Sequence, residues 1–194
     1  LDPRTHHPVR HNPRYRSDLT FLGNRMPGHE QRVEELFFGP AATMPELRFL
    51  LAGNGWDDKP STANVKRLGA VSTDEHNALN SSALAALNIN SESVTQFGFS
   101  PSPRFLEAAG AGACVLAEES DGVEAFLEPG KEVLVASDGA GVIEIMRSLT
   151  PSRARVIGRS AMKRIRASHT YTHRATQLER VLEGRMAEPV ASQF

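Results

Sequence analysis

The chain has 194 residues, of which 40% are hydrophobic and 23% charged, a composition typical of one folded domain and unlike that of a disordered chain. It contains no run of about 18 apolar residues and no apolar signal core near Leu1, so neither a membrane span nor a secretory leader is expected. Its single cysteine, Cys114, excludes an internal disulfide and a multi-cysteine zinc site and favours a cytoplasmic protein.

The net charge of −1 conceals an uneven distribution of charge along the chain. Residues 17–150 contain 9 basic and 19 acidic residues, whereas residues 151–185 contain 9 basic and 2 acidic ones. A basic helix can bind nucleic-acid phosphates, but these basic residues are scattered around the predicted helix, and no aromatic residues are interleaved with them. We therefore expect the basic end to balance the acidic middle of the chain, with no nucleic-acid partner.

From Asp18 onward, short apolar runs alternate with helical patterns. The runs are β-branched or aromatic and too short for helices, and they predict six buried strands: 18–22, 47–52, 64–69, 83–89, 114–117 and 132–135. Helical patterns stand between and after them: 28–43, a small helix from 72, 104–110, 123–127, 138–149, 152–167 and 171–183. The alternation predicts an α/β fold, a doubly wound Rossmann-like parallel sheet closed by two C-terminal helices.

In such sheets a ligand binds beyond the carboxyl ends of the strands, which directs attention to the strand tips. The first strand ends in Gly23-Asn24-Arg25. A glycine there allows a phosphate to approach the backbone, and Arg25 can supply a bidentate cation. An ordinary turn with a surface arginine explains the same residues. The loop over 90–103 is longer than a usual strand-to-helix turn, which indicates a role of its own.

Glu107 lies three residues beyond Arg104 in the predicted helix, among apolar neighbours. A partly buried carboxylate needs a partner. Ribose hydroxyls of a nucleotide are one candidate, and Arg104 in an intrahelical ion pair is the other. His169 and His173 lie four residues apart, but no third ligand accompanies them, so no metal site is expected.

Several motifs occur in a fixed order along the chain: Asp18 to Arg25, Phe49 to Trp56, Asn64 to Gly69, Phe99 to Arg104, Glu107 to Gly110, Glu128 to Glu132 and His169 to Tyr171. Together with the opening Asp2-Pro3 and His7-Pro8-Val9, they resemble the C-terminal half of the CgeB-like (spore maturation protein CgeB family) glycosyltransferases. Those proteins are group 1 enzymes of GT-B architecture. The resemblance covers nearly the whole chain.

The resemblance implies that this domain binds the nucleotide-sugar donor of a glycosyltransferase, a UDP- or GDP-sugar, without a covalent cofactor and without a required metal. An N-terminal domain outside this chain would bind the acceptor, which is a sugar, a lipid or a protein. Residues 1–17 would be the crossover segment between domains, 18–168 the nucleotide-sugar-binding domain and 169–194 a C-terminal helix and tail. The chain starts without Met, as a fragment would, and little turnover is expected from it alone.

The resemblance also implies roles for individual residues. Four lie at strand ends near the diphosphate or the base: Gly23, Asn24, Gly69 and Val71. Ser100 belongs to the loop that lines the sugar and phosphate pocket, and Glu107 holds the ribose. Arg25 and Arg104 are the expected catalytic cations, which stabilise the departing phosphate.

One position departs from the pattern of the retaining relatives, which carry an E-x7-E motif. Phe99 stands where their first Glu is found, so the sugar contacts and the retaining or inverting outcome stay open. Two other functions also stay open, because a fold does not decide function. One is a sugar-nucleotide epimerase, which would release nucleotide without an acceptor. The other is a non-catalytic domain that binds nucleotide or a protein partner.

Overall fold

The computed structural model describes residues 1–90 and 102–184, so the predictions for Phe99 and Ser100 lie outside the described residues. The chain forms a six-stranded sheet in which every strand pairing is parallel. Its strands are β1 Ser17–Leu22, β2 Phe49–Ala52, β3 Val65–Arg67, β4 Ala83–Asn88, β5 Val115–Glu118 and β6 Leu134–Ala136. Their spatial order is β3-β2-β1-β4-β5-β6.

Strand β1 is the centre of the sheet. Leu19 pairs with Phe49 of β2 on one side and with Ala85 of β4 on the other, and it is fully buried. The strand order reverses between β1 and β4, and the carboxyl ends of these two strands flank the crevice where doubly wound sheets bind ligands. The predicted fold class and all six strands are confirmed, with ends that shift by one or two residues.

The α-helices follow the predicted positions, except that the short helix predicted over 123–127 is only a 3-10 turn, Val123–Ala125. They are α1 Glu30–Val33, α2 Gly39–Thr43, α3 His76–Ser82, α4 Pro103–Gly110, α5 Gly139–Ser148, α6 Pro151–Ser168 and α7 Tyr171–Leu182. The single helix predicted over 28–43 is interrupted, because a π-helical turn, Glu34–Phe38, separates α1 from α2. Pro40 explains the interruption, since it has no amide hydrogen for a regular α-helical bond and its ring crowds the preceding turn.

The helices cover both faces of the sheet, and the described residues form three buried apolar clusters. On one face Leu36 and Phe37 of the π turn pack with Met146 of α5. On the other face Phe105 of α4 packs with Ile165 of α6. No helix within residues 1–90 and 102–184 is long and apolar enough to cross a membrane.

The first residues of the chain are attached to the closing helices. The amino group of Leu1 donates to the carbonyl of His169, and the carbonyl of Leu1 accepts from the amide of Tyr171. Asn77 of α3 also holds this segment, because its side chain donates to the Thr5 carbonyl and accepts from the His7 amide. Residues 1–7 therefore lie against α3 and the start of α7.

Candidate functional site

A cavity of about 490 Å³ opens at the carboxyl end of the sheet, beside the point where the strand order reverses. The ends of β1 and β4 form its floor, and α3 and the first turn of α4 form its walls. It brings together four residues that were predicted for the site: Gly23, Asn24, Arg104 and Glu107. The parallel topology explains this convergence, because all strand tips meet at one edge of the sheet.

Gly23 and Asn24 shape the tip of β1 through contacts with the turn after β2. The Gly23 carbonyl accepts a hydrogen bond from the indole of Trp56 at 2.7 Å. The Asn24 side chain accepts from the Asn54 amide at 2.9 Å. A Cβ at position 23 would lie 2.5 Å from the Phe21 ring, so a residue without a side chain fits here best. The Phe21 ring thus packs beside Gly23, and both residues line the cavity.

Arg25 lies beside this cavity with its guanidinium bound to carboxylates. Its Nε and Nη2 donate to the two oxygens of Glu30, at 2.8 and 3.0 Å, and its Nη1 donates to Asp58 at 2.7 Å. These bonds raise the pKa of Arg25, the Glu30 bond most of all. Arg25 thus joins the tip of β1 to α1 and to the turn after β2, and it is not among the residues that line the cavity.

Arg104 projects from the first turn of α4 at the cavity wall. Its Nη1 donates to the carbonyl of Leu22 at 3.2 Å, and within the described part of the chain it forms no ion pair shorter than 4 Å. Ser102 is the N-cap of helix α4, and its hydroxyl accepts a hydrogen bond from the Phe105 amide and donates one to the Asn88 side chain at the end of β4. The positive end of the α4 dipole and the Arg104 guanidinium therefore face the same space.

Glu107 lies one turn further along α4 and lines the cavity too. Its two oxygens lie 3.8 Å from Nε2 of His6 and 3.6 Å from Nδ1 of His76. The interaction with His76 lowers the pKa of Glu107, and nearby His6 and Arg104 act in the same direction, so the carboxylate is ionised at neutral pH. Among the described residues, the ring nitrogens of the two histidines, and not Arg104, lie within 4 Å of the Glu107 oxygens.

The segment after β3 reaches the site through His76. Gly69 has a φ of +63°, and its carbonyl accepts a hydrogen bond from the Gly53 amide, so it supports the turn after β2. The carbonyl of Val71 lies 3.3 Å from Nε2 of His76. Neither Gly69 nor Val71 lines the cavity itself. Sequence reasoning did not single out His76, because only the packing of α3 against α4 reveals its contact with Glu107.

A second cavity, of about 580 Å³, lies at the opposite edge of the sheet, between the amino ends of the strands and the start of α6. Its lining includes Arg16, Cys114 and Arg155. Burial raises the pKa of the Cys114 thiol to about 12, so that thiol is unreactive at neutral pH. Within residues 1–90 and 102–184 no group of three or more His, Cys, Asp or Glu side chains is arranged so that it could hold a metal ion. His169 and His173 are separately engaged, the first by Arg174 and the second by Thr170.

A family model described as "Glycosyl transferase-like" matches residues 29–180. No curated protein sequence matches the chain significantly. Similar solved structures include sucrose-phosphate synthase from Thermosynechococcus elongatus, with 16% identity, a TM-score of 0.72 and coverage of 95% of this chain and 50% of that one. Anabaena Alr3699/HepE in complex with UDP-glucose has 13% identity and a TM-score of 0.70, over 95% of this chain and 56% of that one.

The T4 phage protein BGT, in complex with its UDP-glucose substrate, has 17% identity and a TM-score of 0.65, over 89% of this chain and 50% of that one. At these identities the likeness establishes the fold. The chain spans about half the length of these solved structures.

Proposed function

The chain belongs to the glycosyl transferase-like family, and from that premise we propose that it binds the nucleotide-sugar donor of a glycosyltransferase at the carboxyl edge of its sheet. One observation carries the proposal. A single cavity presents the ionised carboxylate of Glu107, the guanidinium of Arg104 and the N-terminal end of α4. A nucleoside diphosphate carries groups that match these in chemistry, namely ribose hydroxyls and two phosphates.

In the proposed complex Glu107 accepts hydrogen bonds from the ribose hydroxyls. The diphosphate lies against the backbone at Gly23 and Asn24 and near Arg104, with Ser100 as a further expected contact. The base lies toward the segment of Gly69 and Val71. A carboxylate binds paired hydroxyls well, and arginine binds phosphate through two parallel hydrogen bonds.

The chemistry proposed for the site is stabilisation of the leaving group. When the sugar departs, negative charge grows on the terminal phosphate of the nucleotide. A guanidinium and helix-terminal amides that already face that position lower the energy of the transition state more than that of the ground state. Arg104 is the first residue proposed for this role. Arg25 is the second, because Asp58, which binds its Nη1, is 75% exposed and a phosphate oxygen can replace it.

The donor proposed first is a UDP-sugar, because Alr3699/HepE and the phage protein BGT are both described with UDP-glucose. A GDP-sugar is the alternative. Within the family we propose the CgeB-like group, with residues 1–17 as a crossover to an acceptor-binding domain that also supplies any general base. The single free cysteine, Cys114, favours the cytoplasm as the compartment.

Isothermal titration of the chain with UDP, GDP, ADP, CDP and dTDP tests the proposal. Saturable binding of one nucleotide is expected, together with little or no turnover of the matching nucleotide sugar. Glu107→Gln should weaken that binding, whereas Glu144→Gln, a matched change on the exposed face of α5, should leave it unchanged. Absence of binding at millimolar concentrations of all five nucleotides would refute the proposal and favour a domain that binds a protein partner.

A further inference from the structure

The carboxylate of Glu107 lies between two histidines that come from different parts of the chain. Nε2 of His6 faces one carboxylate oxygen at 3.8 Å, and Nδ1 of His76 faces the other at 3.6 Å. Each histidine is only 8% exposed, and the Glu107 side chain is 21% exposed. Each oxygen thus has one ring nitrogen beside it and retains a lone pair for a ligand in the cavity.

His76 connects Glu107 with the segment after β3. Its other ring nitrogen, Nε2, lies 3.3 Å from the carbonyl oxygen of Val71. The carbonyl and the carboxylate are both acceptors, so each ring nitrogen of His76 faces an acceptor, Nδ1 at the 3.6 Å separation of an ion-pair contact and Nε2 at 3.3 Å. His76, the first residue of α3, therefore lies between the segment proposed for the base and the carboxylate proposed for the ribose.

His6 supports the second oxygen as a neutral ring. Burial lowers the pKa of His6, and its Nδ1 has no hydrogen-bond partner among the described residues. The single proton of the neutral ring therefore belongs on Nε2, toward Glu107. Asn77 fixes the backbone on both sides of His6, at Thr5 and His7, and it is the immediate neighbour of His76. The two histidines are consequently held as one unit.

We propose that His6 and His76 are positioning residues that orient the Glu107 carboxylate toward paired ribose hydroxyls. The inference rests on the proposed function. A glutamate free to rotate loses conformational freedom when it binds two hydroxyls, whereas a carboxylate held in advance does not. The two rings therefore increase discrimination in favour of a ribose over a deoxyribose, in addition to supporting the fold locally.

The test compares the affinities of UDP and 2′-deoxy-UDP for the wild type and two His76 variants. In the wild type the deoxy compound should bind about tenfold more weakly, since it lacks one hydrogen bond to a charged group. His76→Phe removes both ring nitrogens, and the ratio should fall to about twofold or less. His76→Asn retains a donor close to the position of Nδ1, so it should recover most of the discrimination.

If His76→Phe keeps the wild-type ratio of UDP affinity to 2′-deoxy-UDP affinity, the inference is overturned. The proposed function stands in that case, because UDP still binds. If the wild type binds neither UDP nor any of the other four diphosphates, the proposed function fails first. If His76→Phe does not fold, proton-detected nitrogen-15 spectra of the wild-type protein determine which ring nitrogens of His76 carry a proton. A proton on Nδ1 of His76 in the UDP complex is expected, and an unprotonated Nδ1 overturns the inference.

Discussion

The indole nitrogen of Trp56 donates to the carbonyl oxygen of Gly23 at 2.7 Å, and this bond attaches the turn after β2 to the tip of β1. Trp56 is 2% exposed, so the bond is shielded from water. Gly53, in the same turn, approaches the same peptide closely. A Cβ on Gly53 would lie 2.1 Å from the Gly23 oxygen. The backbone that lines the cavity at Gly23 therefore depends on the fit of this neighbouring turn.

Replacement of Gly53 by alanine should destabilise the protein by about 3 kcal/mol. Two effects act together, because φ at this position is +130° and the added methyl group meets backbone atoms that cannot move aside. Urea denaturation measures the change. Gly130→Ala is the matched control, since Gly130 has a φ of +80° but open space around its Cβ position. Gly130→Ala should lower the free energy of unfolding by about 1 kcal/mol. Equal losses of stability in the two variants would contradict the role of the close approach between Gly53 and the Gly23 carbonyl.

The stability of the protein should decrease in acid partly because of His169. Burial lowers the pKa of His169 from 6.5 to about 4, and the nearby charge of Arg174 adds to the effect. Between these values the unfolded chain binds a proton that the folded chain does not, so the free energy of unfolding falls as the pH falls. The contribution is at most about 1.4 kcal/mol per pH unit.

Urea denaturation of the wild type and of His169→Gln at several pH values between 4 and 7 measures this contribution. The variant should lose less stability than the wild type on acidification. His11→Gln, at an exposed position, controls for the removal of a histidine. Parallel pH profiles for the wild type and His169→Gln would show that His169 is protonated equally in the folded and unfolded states.

Removal of the charge of Asp58 should strengthen UDP binding by about two- to fivefold if Arg25 contacts the diphosphate. Nη1 of Arg25 donates a hydrogen bond to the Asp58 carboxylate at 2.7 Å. Asp58→Asn weakens this bond, so Asp58 competes less with a phosphate for Arg25. Asp57→Asn, which removes the adjacent negative charge, serves as the control in the same titration. A gain no larger than that of the control would remove Arg25 from the phosphate site.

The fold and the position of the candidate cavity were predictable because they depend on local pattern and parallel topology. Apolar runs such as Asp18–Leu22 and Ala83–Ile89 identify buried strands, and parallel strands bring Gly23 and Glu107 to one edge. The partners of these residues were not predictable in the same way. Contacts between Glu107 and His6 or His76 join positions far apart in sequence, and no local spacing encodes them.

The ion pairs of Arg25 were also not predictable from the sequence. Its position directly after β1 favours a phosphate contact, and nothing in the local sequence distinguishes that use from an ion pair. Glu30 and Asp58 approach it only because α1 and the turn after β2 pack beside the β1 tip.

The interruption of the helix predicted over 28–43 was predictable from Pro40, since a proline at that distance from the helix start disfavours a continuous α-helix.

The most direct test of the central claim is to measure which edge of the sheet binds the nucleotide. Arg104 lines the cavity at the carboxyl edge and Arg155 the cavity at the amino edge, and both are exposed residues near the start of a helix. Calorimetric titration with UDP should show affinity about tenfold weaker for Arg104→Ala and unchanged for Arg155→Ala. Weakened binding in Arg155→Ala with normal binding in Arg104→Ala would contradict the account.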